Sequence, residues 1–128
     1  MNAALGQATA LLSGALPIRV HSVRAAAWVT RSVLEDLIRR LVEAKECEPG
    51  YASTRTLLGC IDVLYADEAP HIASLAQYAW DGLSQASHHH SYELAPTHAE
   101  VTALVELVDD VATYSTLGEA DGRTDSGA

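Results

Sequence analysis

From Ile18 to about Lys45 the apolar residues Val20, Val23, Ala27, Leu34, Leu37, Ile38, Leu41 and Val42 recur at steps of three and four. That spacing follows the 3.6-residue turn of an α-helix and predicts one long amphipathic element with a single core-facing stripe. No stretch alternates apolar and polar residues as a half-buried strand does, and there is no internal repeat and no glycine-rich phosphate loop. A chain patterned this way buries its stripes by packing helix on helix. Plentiful Leu, Val and Ala, with no Phe, favour the same solution. At 128 residues the chain fits one domain, and folding at that size removes roughly two-thirds of the unfolded chain's surface from water. The expected fold is all-α, a single compact bundle of four to five helices.

The shorter segments fill in that bundle. Leu5, Ala8, Leu11, Leu12 and Leu16 lie along one side of residues 3–16, so residues 1–16 form a weak N-terminal helix or arm that Pro17 ends or offsets. Glu35 with Arg39, and Asp36 with Arg40, stand four apart with the acid first, the order that favours exposed pairs on the long helix. Pro49-Gly50 breaks that helix and makes a turn. A further helix runs from about Thr54 to Tyr65 on Leu57, Leu58, Ile61 and Leu64. Asp67 can cap the next one, which opens at Pro70 and carries Ile72, Leu75, Ala76, Ala79, Leu83 and Ala86 to an end near Ser87 to His89. Thr97 and Glu100 make a capping box before Val101, Leu104, Val105, Val108, Val111 and Ala112, a final helix expected to reach about Tyr114. The domain is thus placed at residues 18–116, with residues 117–128 as a disordered acidic tail that has little to bury.

The net charge of −9 is uneven. Residues 1–55 hold seven bases against five acids, and residues 56–128 hold one base against twelve. An acidic chain lacks the counterion-release term behind general nucleic-acid affinity, so RNA or DNA coating is disfavoured unless Arg19, Arg24, Arg31, Arg39, Arg40 and Arg55 form a local stripe. The alternative for that stripe is a solvated face that meets an acidic partner or the acidic half of a second copy. Cys47 and Cys60, thirteen apart, match neither a zinc knuckle nor a redox pair, which suits a reducing, cytoplasmic setting. No secretion signal and no membrane-spanning segment is expected.

Chemistry concentrates between Trp80 and Thr97, where His88, His89 and His90 follow one another, with Tyr92, Glu93 and His98 close by. Imidazole accepts and donates protons near neutrality, which suits phosphodiester cleavage, but that reaction also needs a cation, and none is local in the sequence. Arg55 would serve only if its helix packed against the one ending at the histidines. A metal site built from His88, His90, Glu93 or His98 would require an irregular turn to bring neighbouring residues onto one ion, so no metal and no cofactor is expected. The structural alternative is that these rings bond the last carbonyls of a helix and meet its dipole. Trp28 and Trp80 read as core or interface aromatics.

The helix order and the end of the third long helix resemble HEPN-domain proteins over roughly Arg19 to Val111. In active members of that family the corresponding helix ends in an Arg, a gap of four to six residues and a His, and two copies join these motifs into one metal-independent ribonuclease site. Other members are inactive and serve as binding or antitoxin-like modules in defence and stress systems. On this chain the motif's His falls at His90 or His89 and its Arg at Gln85. Glutamine bonds a phosphate but carries no charge for the transition-state oxyanions. The resemblance therefore implies a homodimeric protein-interaction or regulatory module, with Gln85, His88, Glu93 and Trp80 as binding residues and a role in a bacterial defence or toxin–antitoxin type system. The alternative is an endoribonuclease with His90 as general base or acid, His89 or Tyr92 assisting, and Arg55 or an Arg from the other copy as the cation. A third reading is the small subunit of a nucleoprotein complex.

Overall fold

The computed structural model describes residues 3–13, 19–87 and 96–126, and every regular element among them is an α-helix. In chain order these are α1 (Ala3–Leu12), α2 (Arg19–Glu43), α3 (Thr54–Leu64), α4 (Pro70–Ser87) and α5 (His98–Ser126). The 25-residue α2 is the axis of the bundle, in contact with all four other helices. The remaining contacts are α4 with α3 and α5, and α1 with α5.

The long stripe of α2 is the core of the molecule: Ala27, Leu34, Leu37, Ile38, Leu41 and Val42 are buried, and Val23 is half-buried. Leu57, Leu58 and Ile61 of α3, Ile72, Ala76, Ala79 and Leu83 of α4, and Val101, Val105, Val108 and Val111 of α5 close over it. α1 is part of this core and no detached arm, because Leu5, Ala8 and Leu12 are buried against α2 and α5. His98 fastens it there, its Nε2 lying 2.6 Å from the Leu12 carbonyl at the far end of α1. Trp80 is 8% exposed, whereas Trp28, on the outer side of α2, is 61% exposed.

The helix ends follow local chemistry. α2 stops in a Schellman motif, with the Cys47 amide donating to the Val42 carbonyl and the Glu46 amide to the Glu43 carbonyl. The C′ residue is Glu46, at φ 57°, in the left-handed region that glycine usually fills. The helix thus ends before Pro49-Gly50, and Gly50, also at positive φ, serves the turn that follows. Arg39 crosses that turn to donate to the Gly50 and Ala52 carbonyls, and neither Glu35–Arg39 nor Asp36–Arg40 closes as an ion pair. Two carbonyls offered by a bent loop outcompete one solvated carboxylate worth a few tenths of a kcal/mol.

Ser53 caps α3, accepting from the Thr56 amide. Ala69, whose carbonyl accepts from Ile72, directly precedes Pro70, so Asp67 stands two residues too early to cap α4. The capping box of α5 is formed: Glu100 N–H donates to Thr97 Oγ1 and Thr97 N–H to Glu100 Oε2. α5 then passes both Tyr114 and the expected start of the tail at Leu117, and its backbone is helical to Ser126. No proline interrupts it, and extending a formed helix adds a hydrogen bond for each residue fixed, without a new nucleation cost. No helix of the described residues is long and apolar enough to cross a membrane.

Candidate functional site

The C-terminal half of α4 forms one wall of two clefts of opposite charge. Successive helical residues are about 100° apart, so Trp80 and Ser84 share one face while Tyr78, Asp81, Gly82 and Gln85 turn toward the next. The first face meets α2 and the start of α3, and the second meets α5.

Between α4 and α5 lies a groove of about 520 Å³ lined by Tyr78, Asp81, Gln85, Glu100 and the apolar rim of Ala103 and Leu104. Gly82 permits the close approach of the two helices, since a Cβ there would stand 2.9 Å from Leu104 Cδ2. Among the described residues no base lines this groove. Asp81 accepts from Gln77 Nε2 through both carboxylate oxygens at 3.2 Å, and Glu100 is engaged in the capping box. Gln85, at the position where the resemblance calls for arginine, therefore shares its groove with two carboxylates.

The cleft on the neighbouring face measures about 390 Å³ and is lined by Arg31, Glu35, Ser53, Thr54, Arg55, Trp80 and Ser84. Burial of Trp80 gives Arg31 a flat surface, and its guanidinium carbon sits 4.4 Å from the indole centroid, a cation–π arrangement. Arg55 enters from the first turn of α3. Neither arginine has a carboxylate within ion-pairing distance among the described residues, although Glu35 lines the same wall. Arg31 Nε and Ser84 Oγ are buried and have no hydrogen-bond partner among the described residues. Such atoms are few in folded proteins, and each leaves a desolvation cost uncompensated.

A third polar cluster joins the end of α2 to the α3–α4 turn and α5. Lys45 Nζ lies 3.0 Å from Glu68 Oε2, which also accepts from Tyr114 Oη at 3.0 Å. Tyr65 donates to the Leu41 carbonyl at 2.7 Å and meets Tyr114 edge to face, with Lys45 over its ring. The hydrogen bonds from Lys45 and Tyr114 hold the Glu68 carboxyl below its ordinary range. Burial, then the bond to Glu68, pushes the Tyr114 phenol up to about 12. Burial and the Glu68 charge raise Tyr65 as well. Every donor here has its acceptor, and the cluster acts as a clasp on the fold.

Of the residues singled out from the sequence, Arg55 and Trp80 are brought into one cleft, and Gln85 is turned away from it. His88, His89, His90, Tyr92 and Glu93 lie outside the described residues. His98 is spent on α1, and Thr102 donates back to its carbonyl. Among the described residues no group of three or more His, Cys, Asp or Glu is placed to hold a metal ion, and Cys47 and Cys60 are free thiols. Arg31 and Ser84 were not distinguished by the sequence. Arg31 was one of six arginines in a stripe, and a serine on the flank of α4 gives no signal until α2 and α3 pack around it.

The described residues so define a bundle of five helices with oppositely charged clefts on neighbouring faces of one helix. Comparison with protein-family models, with curated proteins and with solved structures finds no match for this chain.

Proposed function

We propose that this chain is a binding module of HEPN type, acting through protein association as a homodimer in a bacterial defence or toxin–antitoxin type system. The observation that carries the reading is the surrounding of Gln85. A phosphodiester backbone entering the α4–α5 groove would meet Asp81 and Glu100 with no cation among the described residues to offset them. Oxyanion stabilisation is usually the largest single term in such a cleavage, so a glutamine sharing its groove with two acids is poorly suited to it. The same groove suits a basic protein surface, and the arginines of α2 and α3 supply one on a second copy. In a two-fold dimer each basic face would meet the other's acidic groove, an arrangement that sets partner choice more than affinity.

Structured RNA incubated with the purified protein in excess chelator should remain intact, and His90→Ala should leave that result unchanged. Sedimentation at moderate salt should give a dimer, and a monomer at micromolar concentration defeats the association reading. The second reading, a metal-independent endoribonuclease, draws on Arg31 and Arg55 lying beside Ser84, one turn before the end of α4. It requires RNA products with cyclic phosphate ends that disappear in His90→Ala.

A further inference from the structure

We propose that the cleft between α2, α3 and α4 binds the phosphate of a small phosphomonoester, gripped by the guanidiniums of Arg31 and Arg55 with the Ser84 hydroxyl as an additional donor. The inference needs neither the family resemblance nor a dimer; Arg31 and Arg55 also belong to the basic face that the association reading sets against a second copy, so bound phosphate and that contact would compete for the same guanidiniums.

Three observations converge on it. Two guanidiniums line one cleft without a carboxylate partner among the described residues, although Glu35 lines the same wall. Arg31 is held in place: its guanidinium rests on the face of Trp80, so part of the ordering cost of a bound state is met by the fold. Arg31 Nε and Ser84 Oγ, both buried, lack an acceptor or donor among the described residues, and an oxygen-rich ligand in this cleft would supply one.

The chemistry of the wall selects the ligand. Planar guanidinium forks match the oxygens of a phosphate in pairs, and a phosphomonoester offers three terminal oxygens and close to two negative charges. Hydroxyls at Ser53, Thr54 and Ser84 surround the same space. The Trp80 face is already taken by Arg31, so an aromatic base has no free platform there. A polyanion is disfavoured by the net charge of −9 and by the acidic groove on the next face of α4. Glu35 is the one carboxylate on the wall and opposes the ligand, which fixes the sign of one test.

The experiment uses the full chain carrying Trp28→Tyr, an exposed position, so that Trp80 is the only indole. Inorganic phosphate and methyl phosphate are titrated at constant ionic strength while Trp80 fluorescence and the thermal midpoint are followed. Both ligands should give a saturable fluorescence change and a raised midpoint. Arg55→Gln should weaken binding about tenfold, and Arg31→Lys, which keeps the charge but loses the fork, should also weaken it. Glu35→Gln should tighten binding several-fold. Arg55 makes no hydrogen bond or ion pair among the described residues, so its variant keeps the test valid should Arg31→Lys fail to fold. Absence of a saturable response, an equal response to chloride, or affinity unchanged in Arg55→Gln would overturn the proposal. So would a 5′-phosphorylated oligoribonucleotide or a phosphoserine peptide binding far more tightly than methyl phosphate, because either assigns the cleft to a macromolecule.

Discussion

The two clefts beside α4 share a helix and differ in what their charges are engaged in. On the α4–α5 side the carboxylates are occupied: Asp81 accepts from Gln77, and Glu100 closes the cap of α5. On the α2–α3 side Arg31 and Arg55 make no ion pair among the described residues, and Arg31 Nε and Ser84 Oγ go unmatched there. Charge that is engaged within the fold stabilises the fold, whereas charge held in position without a partner is poised for a ligand. The contrast teaches that the sign of a surface is weak evidence by itself, and that the partners of each charged group tell more.

Substitutions along α4 separate the two sides. The largest effect is expected from Leu83→Ala, which removes a fully buried side chain from the helix that walls both clefts. It should cost about 2–5 kcal/mol in denaturant unfolding and weaken ligand responses on both sides together. Gly82→Val should cost about 1–3 kcal/mol by driving a branched side chain into Leu104, and it should alter the α4–α5 groove while phosphate binding at the other cleft is kept. Loss of both functions in Gly82→Val would show that the clefts are not separable. Thr97→Ala should cost about 1 kcal/mol, because the acidic wall is tied to a helix cap. Arg55→Gln, on the basic wall, should change stability by no more than about 0.5 kcal/mol. A large loss from Arg55→Gln would mean that this guanidinium serves the fold, and the contrast between the clefts would fail.

The smallest effect comes from the clasp, which lies apart from both clefts. Tyr114 ionises near 10 in the unfolded chain and at about 12 when folded. Between those values the folded state retains the proton that the unfolded state has lost, so its contribution is complete below pH 10 and falls away as pH rises toward 12. Tyr114→Phe should remove part of this alkaline loss, read as a shallower fall of the denaturation midpoint across that window. At the acid end the depressed Glu68 carboxyl contributes above its unfolded pKa and loses that contribution as pH falls through the folded value.

The fold was legible where one local rule governed. The 3.6-residue stripe of α2, the capping box at Thr97 and Glu100, and Pro70 at the first position of α4 follow from short-range sterics and hydrogen bonding. The sequence places the end of α2 about two residues late, at Lys45 in place of Glu43, because the left-handed position is filled by Glu46, where glycine is the usual sign. The length of α5 was missed because its final residues are mostly Gly, Ser, Thr, Asp and Glu, yet they extend a helix already nucleated. The site was less legible. Trp80 and Arg55 were chosen for their chemistry, but nothing in their spacing of twenty-five residues says that they line one cleft.

By itself the sequence determined that this chain is a bundle of helices, where most of them begin, and which stripe of each is buried, since periodicity and capping act within a few residues. It also determined that charge is divided along the chain, a matter of composition alone. Only the tertiary structure decided which charges are neutralised and which stand free. That depends on distances between α2, α3, α4 and α5 of a few ångströms across long separations in sequence, and electrostatic and hydrogen-bond energies vary steeply over such distances.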